Sequence, residues 1–316
     1  MNDVPWLRDQ VSFLKKKGLN VTVFKIPNFS TLKKIKAIIS LRRLLFRADF
    51  QLVHVHWGQN SIFALTTKSP LITTYHGSDL QGDVSENGRI TLKGLITIFF
   101  SRLSTLLSDY NIFVSKRLMN SAPRKVINNK NYIVPMGFDS NLFKPISKLE
   151  AKQILGLESD IIYILFAGNF SQPVKRFSLA EQVMAELNDD YKLIKLNYAA
   201  HNQMSIYMNA SDVLLMTSYQ EGSPVIIKEA LACNLSVVST NVGDVKEMIK
   251  KIPGSFISKS SKPAVLAKMI MKSVSINSEV SNYNKMLKYS ANAMNSKILN
   301  IYLSIINGKG SSNEEI

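Results

Sequence analysis

Short apolar runs alternate with longer segments of helical spacing along almost the whole chain, and this alternation limits the fold more than any other feature. NVTVFKI, QLVHVHW, PLITTY, YNIFV and NYIVPM in the first half read as strands, as do DIIYILFAG, YKLIKL, DVLLMTS and LSVVST in the second. Between them, helical spacing runs over 6–17, 31–46, 60–67 and 93–107, and again from Ser115. Later helices are expected over 147–157, 175–188, 203–209, 224–233, 243–250, 262–275 and 282–306. Strand and helix in alternation define a parallel sheet covered on both faces. The 316 residues suggest two such domains, joined near 138–146. GKGSSNEEI at the end reads as a disordered tail, 307–316.

Bulk properties exclude several classes. One cysteine, Cys233, rules out a disulfide framework and fits a buried thiol in a reducing compartment. No apolar h-region opens the chain, and the most apolar stretch, 90–107, is interrupted by Lys93 and Arg102. The net charge of +16 is uneven: residues 1–150 hold 22 Lys/Arg against 9 Asp/Glu, a surplus of 13. Such a field suits an anionic surface, and a solvated basic face is the plain alternative. No RNP-like pattern, zinc finger or basic zipper is readable, so nucleic acid is not expected.

In doubly wound folds ligands sit outside the carboxyl ends of the strands. The segments there are HWG (56–58), HGSD (76–79), SKR (115–117), MGFD (136–139), GNFSQPVKR (168–176) and YQEGSP (219–224). EGSPVIIKE (221–229) stands out. Ser223 is a natural N-cap and Pro224 a natural first helical residue, leaving the N–H groups of Val225 and Ile226 for an anion such as phosphate. Gly222 allows close backbone approach. Glu229 lies five residues past Pro224, about 7 Å along a helix axis. That offset suits a ribose beside a diphosphate, with Glu221 on the sugar side. Two surface acids on a capped helix are the alternative. His54 and His56 form an H-x-H pair without an evident third zinc ligand. Asp189-Asp190 reads as a turn. His76 reads as a ligand-facing or a structural histidine, with Asp79 capping the next turn.

TSYQEGSPVIIKEALACNLSVVSTNVGDVKEMI, with its E-x7-E spacing, resembles the donor-binding signature of family 4 glycosyltransferases. AGNFSQPVKRFSLAEQV and YMNASDVLLMTS are similar to the branch with teichuronic-acid and capsule enzymes, and VPMGFDSNLFKP resembles the family linker. The similarity runs from about residue 5 to 275. It implies the α/β GT-B fold: two doubly wound Rossmann-like domains facing a cleft, 1–142 on the acceptor side, completed by helix 282–306, and 143–281 for the nucleotide sugar. It further implies that Glu229 holds the ribose hydroxyls and Glu221 the donor sugar. Gly222, Ser223, Pro224 and Val225 would offer backbone to the sugar and diphosphate, and Gly168 and Asn169 would flank the donor. Lys175 would neutralise the diphosphate and His76 would meet the donor sugar, so Glu221, His76 and Lys175 are the expected catalytic residues.

The pattern departs in three places. Asn169 stands where the family usually has arginine, and Arg176 where glycine is usual; Arg176 could supply the missing charge. The family also opens with a strand and a glycine-containing loop before the first helix, so the first strand of the sheet is expected to be missing here. The implied reaction is retaining transfer of a hexose-type unit from a nucleoside diphosphate sugar, UDP-linked, to a lipid-linked saccharide at the cytoplasmic face of the membrane. No metal or cofactor is expected. An epimerase and a non-catalytic nucleotide-sugar binder are the other readings.

Overall fold

A computed structural model describes residues 4–26, 31–123, 130–196, 203–276 and 281–308. The last eight residues of the expected tail lie outside them. The chain divides into two compact units, one of residues 1–83, 91–135 and 291–316, the other of 84–90 and 136–290.

The first unit is built on a parallel sheet in sequence order: β1 (Val53–His56), β2 (Leu71–Tyr75), β3 (Tyr110–Phe113) and β4 (Lys130–Ile133). Around it lie α1 (Pro5–Lys16), α2 (Thr31–Arg47), α3 (Gly58–Ser61), α4 (Ser78–Gln81), α5 (Leu92–Leu107) and α6 (Lys116–Met119). The last helix of the chain, Ala291–Ile306, returns to pack on α1. Ile72, Tyr75, Ile112 and Phe113 are fully buried, and the Tyr75 and Phe113 rings stack at 4.9 Å. α5 is capped by Thr91, whose hydroxyl accepts from the Gly94 N–H, and α6 by Ser115.

NVTVFKI does not form a strand: residues 19–26 carry no ladder, and Val23 and Phe24 are 46% and 36% exposed. β-branched composition favours a strand only where a neighbour takes its backbone bonds. β1 is the edge of its sheet and pairs only with β2, so the run has no partner among the described residues.

The second unit carries the parallel sheet β6-β5-β7-β8-β9, from β5 (Ile162–Ala167), β6 (Tyr191–Leu196), β7 (Val213–Met216), β8 (Ser236–Thr240) and β9 (Phe256–Ser258). β9 has only three residues, too few for an apolar run to reveal it in the sequence. The order reverses beside β5, which is the switch point where such sheets bind ligands. Side-chain alternation sorts the core onto two faces. Ile164, Phe166, Val213, Leu215 and Val238 pack with α8 (Phe177–Met184) and α12 (Pro263–Val274). Leu165, Leu214, Met216 and Val237 pack with α9 (Met204–Ala210), α10 (Val225–Ala232) and α11 (Val245–Ile249). α7 (Lys148–Ile154) opens this unit under a Ser147 cap.

The expected helix 282–306 is interrupted. A short α13 (Tyr283–Met286) and one 3-10 turn (Leu287–Tyr289) precede Ser290, which is extended at φ −64°, ψ 158°. The cause is tertiary: the Phe138 N–H donates to the Tyr289 carbonyl, and Phe138 and Ser290 form a parallel bridge.

Candidate functional site

In the second unit, the carboxyl ends of β5 and β7 bring the expected donor residues together. Lys175 ends a 3-10 turn, Pro173–Lys175, after β5. That turn is stitched to the end of β7: the Thr217 hydroxyl donates to the carbonyls of Lys175 and Arg176, and the Tyr219 N–H to that of Val174. Lys175 Nζ therefore lies 2.7 Å from Glu221 Oε1, each side chain about 15% exposed. The Ser218 hydroxyl donates to the same oxygen at 2.9 Å. A cation and an acid that the resemblance assigns to different parts of one ligand thus pair with each other across the strand ends. The Gly168 backbone, at φ 147°, lies against the Lys175 side chain.

Two residues near Lys175 have partners of their own. Arg176 takes a left-handed conformation, φ 50°, and its guanidinium lies 4.2 Å over the Tyr219 ring and donates to Ser261 Oγ. Its charge thus lies over the Tyr219 ring. Asn169 uses its side-chain oxygen to close a turn on the Ser171 N–H and hydroxyl.

The start of α10 also differs in detail. The helix begins at Val225, its N-cap is Pro224, and no side chain caps it. Ser223 is no cap: its hydroxyl donates to Asp244 Oδ2 at 2.7 Å and accepts from Lys228 Nζ at 2.6 Å. Lys228 is fully buried and donates also to the Met136 carbonyl. Burial lowers its ammonium to about 8, against the pull of Asp244 and Glu229. Behind the loop, a Cβ on Gly243 would lie 2.9 Å from the Gly222 carbonyl. These supports were missed in the sequence, although the lysine inside EGSPVIIKE and the VGD that follows β8 were visible there. The uncapped N–H groups at the helix start, with Glu229 one turn further in, suit a diphosphate followed by a ribose.

Glu229 is 5% exposed, and its carboxyl takes no hydrogen bond from any described residue. Burial lifts its carboxyl to about 8, with Lys228 opposing and Asp139 adding to the rise. Near neutral pH it is a protonated acid, able to donate one bond and accept another, which matches a vicinal diol.

In the first unit, His76 follows β2. Its Nε2 lies 3.1 Å from His56 Nδ1, and burial lowers its pKa well below the usual imidazole value. Asp79, fully buried, accepts from the N–H groups of His76, Gly77, Leu80 and Gly58, so it fixes the turn before α4 rather than simply capping it. His54 is held by Thr74 and Tyr302 through both ring nitrogens. Among the described residues, no group of three or more His, Cys, Asp or Glu is arranged to hold a metal ion. Asp190 accepts from Asn188 and its carbonyl from the Ile162 N–H, a turn beside the sheet.

The glycosyltransferase family 4 model matches residues 7–142, and the glycosyl transferases group 1 model matches 162–275. A teichuronic acid biosynthesis glycosyltransferase of Bacillus subtilis, TuaC, is 25% identical over 63% of this chain, which spans 55% of that relative's length. An Escherichia coli UDP-Gal:alpha-D-GlcNAc-diphosphoundecaprenol alpha-1,3-galactosyltransferase is 23% identical over 73% of this chain and 69% of its own. The Anabaena HepE structure with UDP and glucose superposes at TM-score 0.67 and 16% identity, over 93% of this chain and 89% of that one. The architecture is GT-B. The chain belongs to the family 4 glycosyltransferases.

Proposed function

We propose that the protein transfers a hexose-type sugar from a UDP-linked donor to a lipid-linked saccharide during cell-surface polysaccharide synthesis, with retention at the anomeric carbon. The observation that carries this reading is the set at β5, β7 and α10: the Lys175–Glu221 pair, the uncapped helix start and the buried Glu229. The relatives point the same way, one named for a UDP-sugar and a lipid diphosphate acceptor, one solved with UDP and glucose.

On donor binding the diphosphate takes Lys175 and the N–H groups of Val225 and Ile226, and Glu229 takes the ribose diol. Glu221, released from Lys175, holds the sugar hydroxyls. The bond from the anomeric carbon to the diphosphate oxygen breaks, and a bond to the acceptor oxygen forms on the same face. The acceptor proton passes to the departing diphosphate oxygen. Charge on that oxygen is stabilised by Lys175 and the helix start, with no metal assigned a part.

The site of action is the inner face of the membrane. No described helix is long and apolar enough to cross a membrane. α5 nevertheless exposes Leu92, Leu95, Ile96 and Phe99, at 75%, 52%, 50% and 64%. Leu95, Ile98, Phe99, Leu103 and Leu106 line a shallow groove of about 360 Å³ with Arg102. An apolar helix face within a basic half-chain suits an anionic leaflet.

One observation favours a second reading, a binder without turnover: Asn169 offers no cation, and Arg176 is held on Tyr219. The two readings separate when the protein is incubated with a panel of UDP-sugars and an undecaprenyl-diphosphate-linked N-acetylglucosamine acceptor. Transfer with retention is expected; tight UDP binding without any transfer would establish the binder, and product from donor alone an epimerase.

A further inference from the structure

The chain has two tryptophans and four histidines. Both tryptophans, Trp6 and Trp57, and three histidines meet beyond the carboxyl ends of β1 and β2. The Trp6 ring lies 5.0 Å from those of His56 and His76 and 6.1 Å from Trp57, and Trp57 lies 5.1 Å from His76. Trp6, Trp57, His56 and His76 are each half-buried.

This arrangement is held against backbone preference. Trp57 sits at φ 67°, a region bulky side chains rarely enter. Its N–H donates to the Thr74 carbonyl, and the next N–H, of Gly58, to Asp79 Oδ2. A Cβ at Gly58 would lie 2.5 Å from the Tyr75 ring, so only glycine lets the turn seat there. Because Asp79 also takes the His76 and Gly77 N–H groups, one buried carboxylate sets both turns that present the rings.

The chemistry of the surface is specific. Burial holds His56 down to about 4 and His76 well below its usual value, so both imidazoles are neutral and the surface does not attract an anion. The His56–His76 bond uses Nδ1 of one and Nε2 of the other. His56 Nε2 and His76 Nδ1 carry no bond among the described residues. The result is an apolar aromatic wall with hydrogen-bonding nitrogens at its edge. A pyranose has the complementary form, a C–H face and a rim of hydroxyls. A purely structural aromatic cluster would not need the strained Trp57 backbone.

We propose that Trp6, Trp57, His56 and His76 form a stacking subsite for a pyranose ring of the acceptor saccharide. The assignment rests on the glycosyltransferase reading for the identity of that saccharide. Because both tryptophans belong to the cluster, intrinsic tryptophan fluorescence reports on it alone. Titrating octyl N-acetylglucosaminide, with glucose and galactose in parallel, onto the UDP-bound protein is expected to give saturable quenching by at least one sugar. Trp57→Leu is expected to raise the acceptor KM about tenfold while donor KM and kcat stay within about twofold, and Trp57→Phe to restore most of the loss. Trp6→Leu, on a surface helix, gives the same readout if Trp57→Leu does not fold. Quenching by UDP alone and by no sugar would overturn the subsite, as would an equal rise in donor KM. A protein that UDP neither stabilises nor quenches, but a sugar still quenches, would retain the subsite and lose the glycosyltransferase reading.

Discussion

Glu229 is a carboxylic acid held in its protonated form inside the second unit, its pKa raised from 4.5 to about 8 by burial. A raised acid contributes fully to stability below its unfolded value and loses that contribution as pH climbs through the folded value. The loss falls between pH 4.5 and about 8. Lys228, lowered from 10.5 to about 8, changes in the opposite sense and in the window above. Glu229→Gln removes the first decline. Its melting temperature relative to wild type is expected to climb by roughly 5 °C between pH 5 and 8, and a gap that stays flat across that range would count against a protonated Glu229. At Lys175 the expectation is kinetic. Lys175→Met removes the side-chain cation paired with Glu221, and kcat is expected to drop roughly 100-fold or more, as for loss of one transition-state donor. Transfer at wild-type rate by that variant would assign the diphosphate to other groups.

At the scale of elements, the loop 219–224 is braced by the turn after β8. Gly243, at φ 51°, abuts the Gly222 carbonyl, so Gly243→Ala must shift that loop. UDP affinity is expected to fall about tenfold with far-ultraviolet circular dichroism unchanged; unaltered affinity would separate the loop from the donor. For α5, Leu95→Ser with Phe99→Ser is expected to cut co-sedimentation with anionic vesicles at least fivefold without loss of UDP binding. Retained sedimentation would remove α5 from the membrane contact. These elements also mark how far the sequence could be read. Strands buried on both faces, such as DVLLMTS and LSVVST, are continuous apolar runs and declared themselves. NVTVFKI had the same composition, but strand formation depends on a neighbour that no local pattern encodes. The break at Ser290 depends on Phe138, more than 150 residues away in sequence. Within the candidate site, Glu221 and Glu229 stood out by their E-x7-E spacing, and Lys175 through the family resemblance. Their supports were not, because Ser218, Lys228 and Asp244 act through contacts made only when separate strand ends converge.

For the whole molecule, charge and family lead to one account. The surplus of 13 positive charges in residues 1–150, out of a net +16, puts the attraction to an anionic surface in the first half of the sequence. Binding to anionic vesicles is therefore expected to weaken steeply between low and physiological salt and to vanish on neutral vesicles at either; salt-independent binding would point to apolar insertion alone. The residues proposed for the donor, in contrast, belong to the second unit, where burial rather than net charge sets their properties. The central claim is that α10 and the strand ends beside it hold a nucleoside diphosphate, with Glu229 on the ribose. Isothermal titration of UDP into the wild-type protein and into Glu229→Ala tests it most directly. The account predicts measurable binding by the wild type and at least tenfold weaker binding by the variant, while no binding by either, or equal binding by both, would contradict it.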